Sequence, residues 1–153
     1  MDSAELERFV VAAKRATYVG GGQPAPSCRP ASHDLAYASG DWRYLDSYFG
    51  GTDFIGQEVV WQADRPVWAM NYAGYILRPD LIDAERAGQT IKAALSALYA
   101  EGRFLGGWHW QGEHGIYEDV STGDVTRFSG HEQILCDGTV AYRLDYHGGR
   151  IRD

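Results

Sequence analysis

Only two cysteines, Cys28 and Cys136, occur in the 153 residues. Two are too few for a disulfide framework, and they lack the paired spacing of a zinc site, so both are expected as free thiols. No apolar run approaches the ~20 residues of a membrane span. The opening Met-Asp-Ser-Ala-Glu-Leu-Glu is acidic where a signal peptide is basic, which places the expected compartment in the cytoplasm. Positive charge is scarce: 14 Lys and Arg stand against 21 Asp and Glu, a net charge of −7. The basic residues are also scattered (Arg15, Arg43, Arg65, Arg86, Arg103, Arg143). Neither a phosphate-backbone groove nor an anionic membrane surface is served by that distribution, so no nucleic-acid or membrane partner is expected. The five histidines form no i, i+4 helical pair and have no acidic companion at ligand spacing. No metal and no cofactor is therefore expected. The glycine runs at 20–22 and 106–107 do not sit between a strand and a helix N-terminus, which excludes a phosphate loop. With no linker or low-complexity stretch, residues 1–153 are read as one domain.

Aromatic residues, by contrast, are abundant, with five Trp and ten Tyr. Strands favour them and a β-rich core absorbs most of them, but five indoles exceed what a core of this size needs. Some are expected to line a cleft.

The chain also repeats itself. Phe54-Ile-Gly56-Gln-Glu58, followed by Asn71-Tyr72-Ala-Gly74, matches Phe128-Ser-Gly130-His-Glu132, followed by Asp145-Tyr146-His-Gly148, at a constant offset of 128 − 54 = 74. Upstream, Tyr44-Leu-Asp46 recurs as Tyr117-Glu-Asp119 at an offset of 73. A duplicated unit makes a pseudo-twofold fold, and the seam between its halves is where a cleft forms.

Local signals fill in the elements. Asp2 with Glu5 forms a capping box ahead of Leu6, Phe9, Val10 and Ala13 at helical spacing, which predicts a helix over 3–17. Prolines 24, 26 and 30 predict a loop over 23–34. Strands are expected at 34–39, 41–49, 54–62 and 66–77, with a turn around Asp64-Arg65. A second helix follows over 81–101, bearing Ile91, Leu95, Leu98 and Tyr99 on one face and ended by Gly102. Further strands are expected near 104–110, 115–121, 125–136 and 139–147, with Asp137-Gly138 as a hairpin turn. The fold class is thus α+β: a duplicated helix-plus-antiparallel-strands unit (about 3–77 and 81–151), two helices on one face of the sheet, and a ligand cleft on the opposite face.

Strand parity distributes the candidates. With a turn at Asp64-Arg65, Ile55, Val59, Trp61, Trp68, Met70 and Tyr72 face the helices, while Glu58 and Asn71 face the other way among Gly56, Val60, Val67, Ala69 and Ala73. A carboxylate and a carboxamide among small residues read as a cleft floor. A desolvated Glu58 becomes a general acid or base, whereas an exposed one does nothing. Trp42, Tyr44, Asp46 and Tyr48 share one face of their strand; a four-residue loop at 50–53 puts them with Trp61, and a bulge puts them with Glu58. Glu132, by parity, falls opposite Arg143 in a cross-strand ion pair. His33-Asp34 is either a proton shuttle or turn chemistry in which Asp34 bonds nearby backbone. Candidate catalytic residues are Glu58, Asp46, His33, Asn71 and Tyr44. Candidate ligand contacts are Arg29, Tyr48, Trp68 and Tyr72, then Trp108, Trp110, Glu132 and His147.

These residues carry a resemblance. Ala16-Thr17-Tyr18, Arg29-Pro30 with Ser32-His33-Asp34-Leu35, Tyr44-Leu-Asp46-Ser-Tyr48, Phe54-Ile-Gly56-Gln-Glu58, Trp68-Ala-Met70-Asn71-Tyr72-Ala-Gly74 and Tyr146-His147-Gly148-Gly149 resemble a bacterial family of domains of unknown function, found alone or behind helix-turn-helix domains of the XRE type. Where that family has a basic Arg-Gly-Pro segment after the second helix, this chain reads Phe104-Leu-Gly-Gly-Trp108-His-Trp110. The architecture is more remotely similar to gyrase-inhibitory-protein-like (SHS2-pair) domains, which implies binding of small molecules. The resulting expectation is an enzyme that carries out acid/base chemistry (hydrolysis, isomerisation or cyclisation) on an apolar, ring-containing metabolite, as a monomer or homodimer. The alternative is a binding protein that senses or sequesters such a molecule.

Overall fold

The computed structural model describes the chain from Met1 to Asp153, leaving aside the side chains of Val19 and Gln23. Two helices and a nine-stranded antiparallel sheet make it a mixed α+β structure, mostly sheet. Helix α1 (Ser3–Lys14) starts where Asp2 accepts a hydrogen bond from the Ala4 amide at 3.0 Å, and it buries Leu6, Phe9, Val10 and Ala13, as its spacing predicted. The helix ends earlier than expected, because the chain widens into a π-helical turn over Arg15–Val19. Strands β1 (Gln23–Ala25), β2 (His33–Ser39), β3 (Trp42–Gly50), β4 (Phe54–Gln62) and β5 (Arg65–Ile76) form a meander. Helix α2 (Ala84–Ala100) is capped by Asp83 and ends before Gly102, whose φ of 78° continues no helix. A second meander follows: β6 (Trp108–Gln111), β7 (Ile116–Asp124), β8 (Arg127–Cys136) and β9 (Thr139–Arg150). The meanders join edge to edge through β5 and β9, giving the order β1-β2-β3-β4-β5-β9-β8-β7-β6.

The short β1 lies where only a loop was expected. It holds Pro24 at the sheet's margin, the place in a sheet where a missing N–H costs least.

Register decides which side chains meet the helices, and here the structure corrects the parity reading. The β4–β5 turn is Ala63-Asp64, both at positive φ (46° and 64°), so Gln62 pairs with Arg65 and Trp61 with Pro66. Val60 then pairs with Trp68, leaving Val67 as the extra residue of a β-bulge. Glu58 therefore stands opposite Met70 instead of Asn71 and points toward the helices. Gly56 and Val60 go with it, while Ile55 turns out to solvent at 56% exposure, along with Val59 and Trp61 on the same face. The second meander does the same. Leu135 pairs with Val140 across the Asp137-Gly138 turn, Ile134 then pairs with Tyr142, and Ala141 is the extra residue. Glu132 consequently lies opposite Leu144 with its carboxylate inside, and the expected pairing with Arg143 does not form; Arg143 binds Asp145 instead. Both shifts fall at the same place along the repeat, 134 − 60 = 74.

The recurring residues have packing reasons. A Cβ on Gly56 would lie 2.6 Å from Cζ of Tyr72, and one on Gly130 would lie 2.5 Å from Cζ of Tyr146. Only glycine lets either tyrosine lie flat across the sheet toward the carboxylate beyond it.

Candidate functional site

A cavity of about 470 Å³ lies between the two helices and the sheet, on the helix side and not on the opposite face where the cleft was expected. Its volume falls within the range of small-molecule sites. His33, Tyr48 and the β3–β4 turn at Gly50, Gly51 and Thr52 stand at its exposed end, with Ala84 and Gly88 of α2. Glu58, Asp119, Glu132, Tyr99 and Tyr142 line its buried end.

Two matching sets of side chains build the polar wall. In the first, β3 carries Tyr44 and Asp46, β4 carries Glu58 directly across from Asp46, and β5 carries Tyr72. The three-residue loop between Gly50 and Phe54 fixes that register and places Asp46 with Glu58. In the second, β7 carries Tyr117 and Asp119, β8 carries Glu132 across from Asp119, and β9 carries Tyr146. Positions correspond at 46 + 73 = 119 and 44 + 73 = 117, then at 58 + 74 = 132 and 72 + 74 = 146. The extra residue of the second set lies in the turn, four residues between Gly123 and Phe128 against three between Gly50 and Phe54.

The hydrogen bonds follow the same plan. Tyr72 donates to Asp46 Oδ1 at 2.5 Å, and Tyr146 donates to Asp119 at 3.0 and 3.1 Å. Glu132 accepts from Tyr117 at 2.5 Å and from Tyr142 at 2.9 Å. Glu58 differs, because Lys14 Nζ from the end of α1 sits 2.9 Å and 2.7 Å from its two oxygens. Lys14 is 4% exposed, and it also lies against Met70 Sδ and the Phe104 ring. An ammonium in that setting is stable only with a carboxylate beside it.

Burial dominates the acid/base behaviour. Asp119 is pushed up to about 7, first by loss of solvent and then by the Glu132 carboxylate, against the Tyr146 hydrogen bond and the charge of Lys14. Asp46 is raised likewise, by burial and then by Glu58, against Tyr72 and Lys14. Burial also raises Glu132, opposed by Tyr117 and Tyr142. The Tyr72 and Tyr146 phenols are raised by burial and by the adjoining Asp46 and Asp119, so they remain donors. Two carboxyls able to gain or lose a proton near neutral pH thus face one cavity.

Of the residues picked out from the sequence, Glu58, Asp46, Tyr44, His33, Tyr48, Tyr72 and Glu132 line the cavity. His33 lies against Tyr48 with ring centroids 5.1 Å apart. The others lie elsewhere. Asn71 and His147 are exposed on the outer face, 3.3 Å apart, with Gln57 donating to Asn71 at 2.8 Å. Trp68 is wholly buried in the core, between Phe128 and Phe104, and donates to the Val125 carbonyl at 3.0 Å. Trp108 and Trp110 pack half-buried at the β6 edge. Arg29 donates to Ser47 at 2.8 Å and covers Phe49. Asp34 makes the local bonds of the turn reading, accepting from the Cys28 amide, Ser32 and Ser47. These bonds hold its pKa down although burial alone would raise it.

Lys14, Asp119, Tyr117, Tyr142 and Tyr146 went unassigned at the sequence level. Carrying Tyr44, Asp46 and Tyr72 across the repeat finds three of them. Lys14 was marked by its position, since Leu6, Val10 and Lys14 follow at i, i+4 along the buried stripe of α1.

Among the described residues, no group of three or more His, Cys, Asp or Glu is arranged to hold a metal ion, and no helix is long and apolar enough to cross a membrane. Comparison with curated proteins and with solved structures yields no match. The sequence profile of the family described as a domain of unknown function (DUF5680) matches residues 46–151, more than half of the chain, and the chain belongs to that family.

Proposed function

We propose that the protein is an enzyme that takes a small, ring-containing molecule into the cavity and moves protons on it with Asp46 and Asp119, in hydrolysis, isomerisation or cyclisation. The observation that carries this reading is a pair of buried carboxyls, one at each of two equivalent positions, raised toward neutrality on the wall of a cavity that opens to solvent. A carboxyl in that range is half-loaded with its proton at working pH, the condition general acid/base chemistry requires. The sequence repeat and its matched registers support a duplicated helix-plus-strands unit, and two copies of one acid set in one chamber give an acid and a base from the same ancestral part. Glu58, tied to Lys14, acts in this reading through its charge, which raises Asp46. The expected likeness of this architecture to gyrase-inhibitory-protein-like domains points the same way, by fold analogy alone.

A second reading, a binding protein without catalysis, is favoured by the way Asp119 and Glu132 are already satisfied by tyrosine hydroxyls. Incubation with a mixture of one- and two-ring esters, lactones and enolisable ketones, followed by mass spectrometry of products, separates the two. The enzyme reading expects product, and a loss of roughly 10²–10⁴-fold in Asp46→Asn and Asp119→Asn with affinity within about tenfold. Quenching of tryptophan fluorescence without product supports the binder. Turnover unchanged in both variants refutes the assignment of the two carboxyls.

A further inference from the structure

The two acid sets are alike except in how their charge is answered. On the first, α1 delivers Lys14 to Glu58. On the second, α2 lines the cavity with Ala84, Ala87, Gly88, Ile91 and Leu95, and contributes no cation. Its basic residues point elsewhere: Arg86 pairs with its own cap Asp83, and Lys92 is exposed. Arg103, after the helix, is spent on the Leu105 and Gly107 carbonyls and on the face of Trp108. Four carboxyls, Asp46, Glu58, Asp119 and Glu132, therefore line a chamber that holds one ammonium.

We propose, building on the small-molecule reading above, that the occupant of the cavity carries a positively charged nitrogen, a protonated or quaternary amine attached to a ring, which settles beside Asp119 and Glu132 where the chain supplies no cation.

Independent features of the cavity point to an occupant of that kind. Glu58, 7% exposed and lining the cavity, has an oxygen, Oε2, that accepts no hydrogen bond among the described residues although Lys14 Nζ lies 2.7 Å away. Asp46 accepts from Tyr72 through Oδ1 only, which leaves its second oxygen for a donor from outside. Tyr18, Tyr48, Phe54, Phe104 and Tyr142 supply ring surface around the acids, and an organic cation gains from such faces as well as from carboxylates. A bare metal ion fits poorly, since no three ligating side chains converge among the described residues.

Charge balance also makes uptake depend on pH. The groups felt by Asp119 are Glu132, Tyr146, Lys14 and Arg103, and those felt by Asp46 are Glu58, Tyr72, Lys14 and Asp34. Lys14 and, at the exposed end, His33 are the basic side chains that line the cavity, against four carboxyls, so an entering cation favours the ionised carboxyls and releases their protons to solvent. Affinity therefore rises with pH between 6 and 8, by about tenfold for each carboxyl that must ionise near pH 7.

The test compares three molecules of one size, phenethylammonium, 2-phenylethanol and phenylacetate, titrated into the full chain by NMR at pH 8 and pH 6. The cation is expected to bind at least tenfold tighter than the alcohol at pH 8, with the gap narrowing at pH 6. A Cβ at Gly88 meets nothing within 4 Å, so Gly88→Lys can add a second ammonium to the cavity lining from α2, and Gly88→Met is its uncharged counterpart. Gly88→Lys should weaken the cation at least tenfold more than Gly88→Met does. If the alcohol or the carboxylate binds as tightly as the cation, the charge proposal is overturned while the small-molecule reading stands. If none of the three binds at millimolar concentration, both fall.

Discussion

Lys14→Met is the sharpest probe of the chamber's electrostatics. Lys14 and Glu58 are 4% and 7% exposed, and the ammonium lies within 2.9 Å of both carboxylate oxygens, so neither charge has water to fall back on. Methionine matches the length of the lysine stem and suits its neighbours Met70 and Phe104, which confines the perturbation to charge. Removing one partner of a buried pair costs about 3–5 kcal/mol, chiefly through the charge left behind. At about 2–4 °C per kcal/mol for a chain of this size, the melting temperature should fall by roughly 6–20 °C at pH 8. Adding Glu58→Gln to Lys14→Met should restore most of the loss, with a coupling energy of about 2 kcal/mol or more in the double-mutant cycle. Chemical denaturation at several pH values measures all of this. A Lys14→Met protein within about 1 kcal/mol of the parent, with additive effects in the cycle, would refute the claim that this pair is dry and tightly bound.

Other consequences can be checked with the same assay. Asp46 and Asp119 have folded-state pKa values above their unfolded ones, so the stability linked to them is complete below about pH 4 and is lost as pH rises through about 7. Stability should therefore increase from pH 8 to pH 5, and Asp119→Asn should flatten that slope; a slope unchanged in this variant contradicts the assignment. Gly56→Ala and Gly130→Ala each place a methyl against a tyrosine ring at 2.6 or 2.5 Å, and each should cost about 1–3 kcal/mol. A cost under about 0.5 kcal/mol would show that the rings have room to move.

Much of the fold was legible because its signals are local. Capping at Asp2, the helical stripe of α1, the turn at Asp137-Gly138 and the stop at Gly102 each depend on residues within a few positions of one another. The face of Glu58 was not legible, because it depends on one extra residue, Val67, near the start of β5. A bulge at valine or alanine leaves no composition signature, yet it inverts every side chain beyond it. The error at Glu132 has the same origin at Ala141. The repeat held the remedy: had the second acid set been read as the counterpart of the first, with both aspartates and both glutamates in equivalent places, either all four lined a cleft or none did.

The bulge also bears on why the site exists. Without it, the β4–β5 hairpin would turn Ile55, Val59 and Trp61 toward the helices beside Trp68, Met70 and Tyr72, a face whose β4 side carries Gln57 but no carboxylate to desolvate. The observed register gives that up: it leaves Ile55 56% exposed and brings Glu58 to 7% exposure, where a buried lysine from α1 must answer its charge. Burying those large side chains would be worth about 1.5–3 kcal/mol each, so the register in place forgoes stability that the same sequence offers one residue away. Local choices that work against the most stable packing mark places where something other than stability is being served. Here the forfeited core is replaced by a cavity, and Glu58 and Glu132, which the shifts turn inward, are two of the four carboxyls that line it.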